Sequence, residues 1–146
     1  MKADGIRPLA ICVFRDGENI LVAEGTDDVK GETFYRPLGG AIEFGEYGQD
    51  TVIRELREEI GAEITGLRYL GALENVFTYM GERGHEIVLV FDGAFVDQSI
   101  YTRERIDGNE DGFGPFIATW KPLSFFASGG APLYPDGLLA LLRGEP

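Results

Sequence analysis

Between Tyr47 and Gly61 the spacing predicts one helix, and that helix constrains the rest of the chain. Val52, Ile53, Leu56 and Ile60 recur at helical intervals and mark the stripe to be buried. Gly61 stands where a helix ends in a left-handed residue, and the start falls near Tyr47 or Gly48. The same segment carries Glu55, Glu58 and Glu59 at i, i+3 and i+4, largely off that stripe. Such spacing puts three carboxylates on one helix face within a turn. Like charges this close repel by roughly 0.2–0.5 kcal/mol per pair on an exposed helix, so helix stability gives no reason for the cluster. A hard divalent cation such as Mg²⁺ gives one, because it prefers anionic oxygen ligands.

The 146 residues suit a single domain over 1–146 with one real core, and 44% hydrophobic with 26% charged residues is the balance of an ordinary globule. No apolar run reaches the length of a membrane span. The first residues, Met-Lys-Ala-Asp-Gly-Ile-Arg-Pro, contain no apolar h-region, so no secretion signal is expected. Cys12 is the one cysteine and lies in an apolar run, which reads as a core residue in a reducing, cytoplasmic setting. The net charge of −12 opposes a role in coating DNA or RNA. It does not oppose a small phosphorylated substrate, since metal ions reverse the local sign.

Outside the helix, strand signals dominate. Leu9 to Phe14 and Ile20 to Glu24 flank turn chemistry at Asp16–Asn19 and read as a hairpin. Residues 25–33 read as a loop, and Phe34 to Pro37 as a short edge segment. Ile64 to Leu73 and Glu86 to Phe95 read as strands around a hairpin tip at 81–84. Residues 97–115 read as irregular and acidic, Phe116 to Lys121 as a strand, and Pro135 to Gly144 as a short terminal helix. The sum is an α+β domain with a mixed sheet.

One spacing carries chemistry. Gly40 is followed after five residues by Glu46. After seven more come Arg54, Glu55, Leu56, Glu58, Glu59 and Gly61. This pattern resembles the Nudix box of the Nudix hydrolase family, with every defining position filled over residues 40–62. The resemblance implies an α/β/α sandwich with the box on a loop-helix-loop. It implies hydrolysis of a nucleoside diphosphate linked to another moiety, with Mg²⁺ or Mn²⁺. By position, Glu58 and Glu59 resemble the family's metal ligands, and Glu55 the residue that ligates metal or orients the attacking water. The Gly39 or Gly40 carbonyl would complete the shell. Arg54 would steady the carboxylates as part of the catalytic set, with Glu46 as its structural partner.

Weaker signals surround the box. Glu110 is the first choice for a later acidic ligand, with Asp111 beside it and Glu104 and Asp107 as rivals. Arg36 suits a substrate phosphate or a surplus acid equally. Its sequence, Arg-Pro-Leu-Gly-Gly, departs from the commoner Leu-Pro-Gly-Gly of the family and clouds the carbonyl geometry at Gly39. Phe77, Tyr79 and Trp120 could stack a base or fill the core, and Glu74-Asn75 could read a base or ribose edge. His85, the one histidine, suits a turn or strand position better than a general base. The expected partner is a small nucleotide-like molecule: a nucleoside triphosphate, ADP-ribose, a nucleotide sugar or a dinucleoside polyphosphate. No membrane or nucleic-acid partner is expected, and a homodimer is left open. The alternatives are a non-catalytic nucleotide sensor, which expects a damaged box, and an RNA 5′-end pyrophosphohydrolase, which expects a basic groove.

Overall fold

A computed structural model describes residues 5–144. The expectation of no secretion signal falls on a segment whose residues 1–4 lie outside the described residues. Strand β1 (Ile6–Asp16) is buried without interruption from Leu9 to Phe14, which happens when both faces of a strand are covered. It turns at Gly17-Glu18 and returns as β2 (Asn19–Asp27). Then come β3 (Glu32–Arg36), β4 (Leu38–Ala41), helix α1 (Gly48–Ile60), β5 (Ile64–Tyr79) and β6 (Glu82–Phe95). A 3-10 turn (Gln98–Thr102), β7 (Ile106–Glu110), β8 (Gly114–Pro122), α2 (Leu123–Ala127) and α3 (Leu138–Leu142) complete the order.

The sheet runs β5-β6-β1-β2-β8-β7, with β4 paired to β1 and β3 to β2. The β1–β6 pair is parallel and the other pairs are antiparallel, so the sheet is mixed. Alternation along β1 feeds two cores. Cys12 and Phe14 join Val52 and Leu56 of α1 on one face. Leu9, Ile11 and Val13 join Phe126 of α2 and Leu138 and Leu142 of α3 on the other. The expected α/β/α layering is therefore the observed one, and Cys12 is a buried core residue. Among the described residues no helix is long and apolar enough to cross a membrane.

Four expectations need correction. Residues 25–33 are not one loop, because β2 continues to Asp27 and β3 starts at Glu32. The tight turn between them is held by the Asp27 carboxylate, which accepts the Val29 and Lys30 N–H groups at 3.0 and 3.1 Å. Residues 97–115 are not irregular: they hold the 3-10 turn and the β7–β8 hairpin. The tip of the β5–β6 hairpin lies at Met80-Gly81, with Glu82 to Gly84 already in β6. The terminal helix starts at Leu138, capped by Gly137 in the left-handed region, because Pro135 sits in a preceding turn.

Candidate active site

Helix α1 lies across β4, β7 and β1, and this placement assembles the site. Its end is fixed by Gly61 at φ 67°, where the Gly61 and Ala62 N–H groups close onto the Arg57 and Leu56 carbonyls at 3.0 and 3.2 Å. The buried positions are Thr51, Val52, Leu56 and Glu59, whereas Ile53 and Ile60 are only half-buried. The acidic cluster is thus not wholly off the buried stripe. Positions 52, 56 and 59 form one i, i+4, i+7 line, and Glu59 ends it at 6% exposure.

The three carboxylates occupy different environments. Glu58 is exposed and Glu55 half-buried. Arg54 reaches both, donating through Nη1 to Glu55 Oε1 at 2.9 Å and to Glu58 Oε2 at 3.3 Å. The rest of its guanidinium holds both oxygens of Glu46 and the Ala41 carbonyl, at 2.8–3.1 Å. Arg54 and Thr51 hold the Glu46 carboxyl down at about 2. Burial pushes Glu55 up, against the pull of Arg54. Burial, then the charges of Glu110 and Glu55, push Glu59 up to about 9, while Arg36 and the Gly39 N–H act the other way. Oε1 of Glu59 is buried without a hydrogen-bond partner. Gly40 lies against the Glu55 carboxyl, and a Cβ there would collide with it. Among the described residues no three acidic, histidine or cysteine side chains are drawn into one metal cage, since Glu55 and Glu58 turn to Arg54.

The other expected residues divide. Glu110 ends β7 beside this cluster and accepts from Arg36 Nη2 at 2.7 Å, so Arg36 is paired with an acid. Its rivals point elsewhere: Glu104 is exposed, and Asp107 is exposed and pairs with Arg105 at 2.8 Å. Phe77 and Tyr79 line a depression of about 300 Å³ with Met80, Glu82, Arg83 and Gly84, none of them a helix carboxylate. Trp120 is a packing residue, stacked on Tyr101 and donating to the Ile100 carbonyl at 3.3 Å. His85 is a half-buried strand residue of β6. Two groups went unnoticed in the sequence: Glu86, 9% exposed, and Arg7, 3.7 Å from it. A lone acid at an inward position, in step with Val88 and Val90, was the available signal.

Comparison with known proteins decides the family. Residues 6–121 match the family model described as the NUDIX domain. The chain belongs to the Nudix hydrolase family. Among curated relatives, the NAD-capped RNA hydrolase NudC of Pseudomonas aeruginosa (strain LESB58) is 31% identical over 99 residues, 68% of this chain and 33% of that protein. NudC of Pseudomonas putida (strain W619) is 37% identical over 67 residues, 46% of this chain and 24% of that protein. The matches thus span about a third or less of these relatives' length. Among solved structures, a Nudix hydrolase from Nitrosomonas europaea superposes with a TM-score of 0.63 at 16% identity, covering 95% of this chain and 87% of that one. The MutT Nudix hydrolase of Burkholderia pseudomallei gives 0.60 at 16% identity, covering 83% and 86%. At such identities the structural matches speak for the Nudix fold.

Proposed function

We propose that this chain hydrolyses a phosphoanhydride bond in a small nucleoside diphosphate-linked compound, with Mg²⁺ as cofactor and Mn²⁺ able to substitute. The observation that carries the reading is Glu59, a carboxylate drawn inside the fold with one oxygen unpartnered, beside Glu55 and Glu110. An isolated buried anion is costly, and a hard cation relieves that cost. Glu55, Glu58 and Glu59, with Glu110 and the Gly40 carbonyl, offer only oxygen donors, a set that fits such an ion. When bound, the ion neutralises phosphate oxygens and acidifies a water.

The remaining roles belong to the chain. Glu58 and Glu59 hold the ion. Glu55, whose proton affinity burial has raised, orients the attacking water and takes its proton. Arg54 keeps Glu55 and Glu58 in register. Arg36 exchanges Glu110 for a substrate phosphate, and Phe77 and Tyr79 offer a surface for the base. A lone buried cysteine suits a cytoplasmic enzyme.

The test is a panel of a nucleoside triphosphate, ADP-ribose, a nucleotide sugar and a dinucleoside polyphosphate with Mg²⁺. Release of phosphate, pyrophosphate or a nucleoside monophosphate is scored. The parent should turn over at least one compound and a Glu58→Gln/Glu59→Gln variant none. A parent inactive on all of them across Mg²⁺ and Mn²⁺ concentrations refutes the reading. A second reading, action on a capped RNA 5′ end, is favoured by the names of the curated relatives. The net charge of −12 weighs against it.

A further inference from the structure

The two faces of the sheet are covered unequally where β5, β6 and β1 run side by side. Paired residues share a face. On the side of α1, Phe91 pairs with Cys12 and Leu89 with Ala10, and the first turn of the helix lies over them. A Cβ on Gly48 would stand 2.9 Å from Leu89 Cδ1 and 3.4 Å from Phe91 Cε2. The next two rows on that side are Glu74-Ile87-Pro8 and Val76-His85-Ile6. Their outer residues are open: Glu74, Pro8, Val76 and Ile6 are all exposed. On the opposite side the sheet is closed, with Val88 and Leu9 buried in the core that holds α3.

Aromatic rings extend this open face. Tyr69 meets Phe91 edge-on, with ring centroids 5.6 Å apart, and is 58% exposed. Tyr47, which leads into α1, is 78% exposed, and Phe44, three residues ahead of it, is 109% exposed. Tyr47, Gly48, Gln49 and Phe91 line a depression of about 310 Å³. A cavity of about 150 Å³ already takes a benzene ring, so a phenyl group fits there. At about 200 Å² per ring, Phe44, Tyr47 and Tyr69 leave on the order of 500 Å² open. Ile6, Pro8, Ala72 and Val76 raise the apolar face to roughly 700 Å². The largest apolar patch of an ordinary monomer is about 300–600 Å², and a standard interface covers about 800 Å² per partner.

We infer that this face pairs with the same face of a second copy of the chain, about a two-fold axis, with Phe44 of each copy seated in the other's depression beside Tyr47. A two-fold contact must be self-complementary, and an open ring close in sequence to a ring-sized hollow meets that demand. Charge selects the same occupant. The chain carries −12, yet the two open rows hold a single acid, Glu74. A second copy therefore meets an area that is nearly free of like charge. Nucleic acid and anionic lipid are repelled by the molecule as a whole. A basic protein finds few acids to pair with on the face itself.

Analytical ultracentrifugation of the full chain tests this. The parent should be chiefly dimeric at a protomer concentration of about 100 µM. Phe44→Ala, which empties the depression, and Val76→Lys, which sets a charge on the open rows, should each raise the dimer Kd at least about tenfold. Both residues are exposed, so the fold should survive, and thermal melting checks that it does. The dimer should hold or tighten as salt rises, because the copies carry like net charge and the contact is apolar. A parent that is monomeric at that concentration overturns the inference, and so does a dimer that either variant leaves unchanged. A dimer that weakens with salt also overturns it, since ion pairs elsewhere would then hold the copies together. A monomer that co-sediments with phosphatidylcholine vesicles gives the face to a lipid surface and overturns it as well.

Discussion

Arg54 grips Glu46 with two arms of its guanidinium, Nε and Nη2 donating at 2.8 and 2.9 Å to the two carboxylate oxygens. This fork fixes the plane of the guanidinium, so the remaining nitrogen, Nη1, meets Glu55 and Glu58 at a set angle. Lysine has the charge but not the fork. Arg54→Lys should therefore lower kcat by about 10- to 100-fold, the range for groups that orient metal-holding side chains. The melting temperature should move less than kcat, because lysine keeps the positive charge beside the half-buried Glu46. Steady-state kinetics beside a thermal melt checks this. Parental kcat in Arg54→Lys would show that the fork is not needed.

Glu59 couples stability to pH. Its folded carboxyl titrates near 9, above the ordinary 4.5, so the folded state binds the extra proton. The metal-free protein should be most stable below about 4.5 on this account, and should lose stability as pH rises toward about 9. Mg²⁺ binds the folded site and should restore stability by mass action. Melting curves near pH 8 should climb with Mg²⁺ in the parent. Glu59→Gln should melt higher than the parent without metal, respond less to pH and lose the climb. A Glu59→Gln protein with an undiminished Mg²⁺ response would remove Glu59 from the metal site.

The helix was legible because glycine marks both its ends and its apolar positions share one period. The burial of Glu59 was not, because an acid at the i+7 position broke the apolar line that carries it inward. Strand β7 was hidden for a different reason. Asp107, Gly108, Asn109 and Glu110 have no strand pattern, yet β7 is the last strand of the sheet, fixed by its pairing with β8 rather than by apolar burial. Arg7 and Glu86 escaped because their pairing follows from the parallel register of β1 and β6, which sequence spacing does not give. The Arg54–Glu46 contact, by contrast, followed from positions within one motif.

Asp27 ties two distant turns together. Its Oδ1 accepts Val29 and Lys30 while its Oδ2 accepts the Met80 N–H at 3.0 Å, across to the tip of the β5–β6 hairpin. Burial raises its proton affinity, but these backbone donors and Lys30 outweigh it and hold the carboxyl below 3.8. A lowered folded value contributes stability that is present above about 3.8 and lost as pH falls through the folded value. Asp27→Ala should melt several degrees below the parent at neutral pH, with the gap narrowing in acid. Hydrogen exchange at Met80 should speed up in the variant. Unchanged exchange there would show that the hairpin tip does not depend on Asp27.

The flank of the site formed by residues 97–110 sets a preference for compact ligands. Its two arginines are engaged: Arg103 lies 3.7 Å from Asp97 and Arg105 2.8 Å from Asp107. Glu104 and Asp107 are exposed, and Glu110 already holds Arg36. A long polyanion crossing this surface meets acids without free arginines to offset them. A small nucleotide keeps its phosphates at Glu55, Glu58 and Glu59 and avoids the flank. The kcat/KM for a nucleoside triphosphate or ADP-ribose should exceed that for a 5′-triphosphorylated RNA oligomer at low salt. The gap should narrow as salt rises, since screening acts beyond a Debye length of about 8 Å at physiological ionic strength. A measurement at two salt concentrations decides. An RNA that is the better substrate at low salt would put the RNA 5′-end pyrophosphohydrolase reading ahead of the small-nucleotide one.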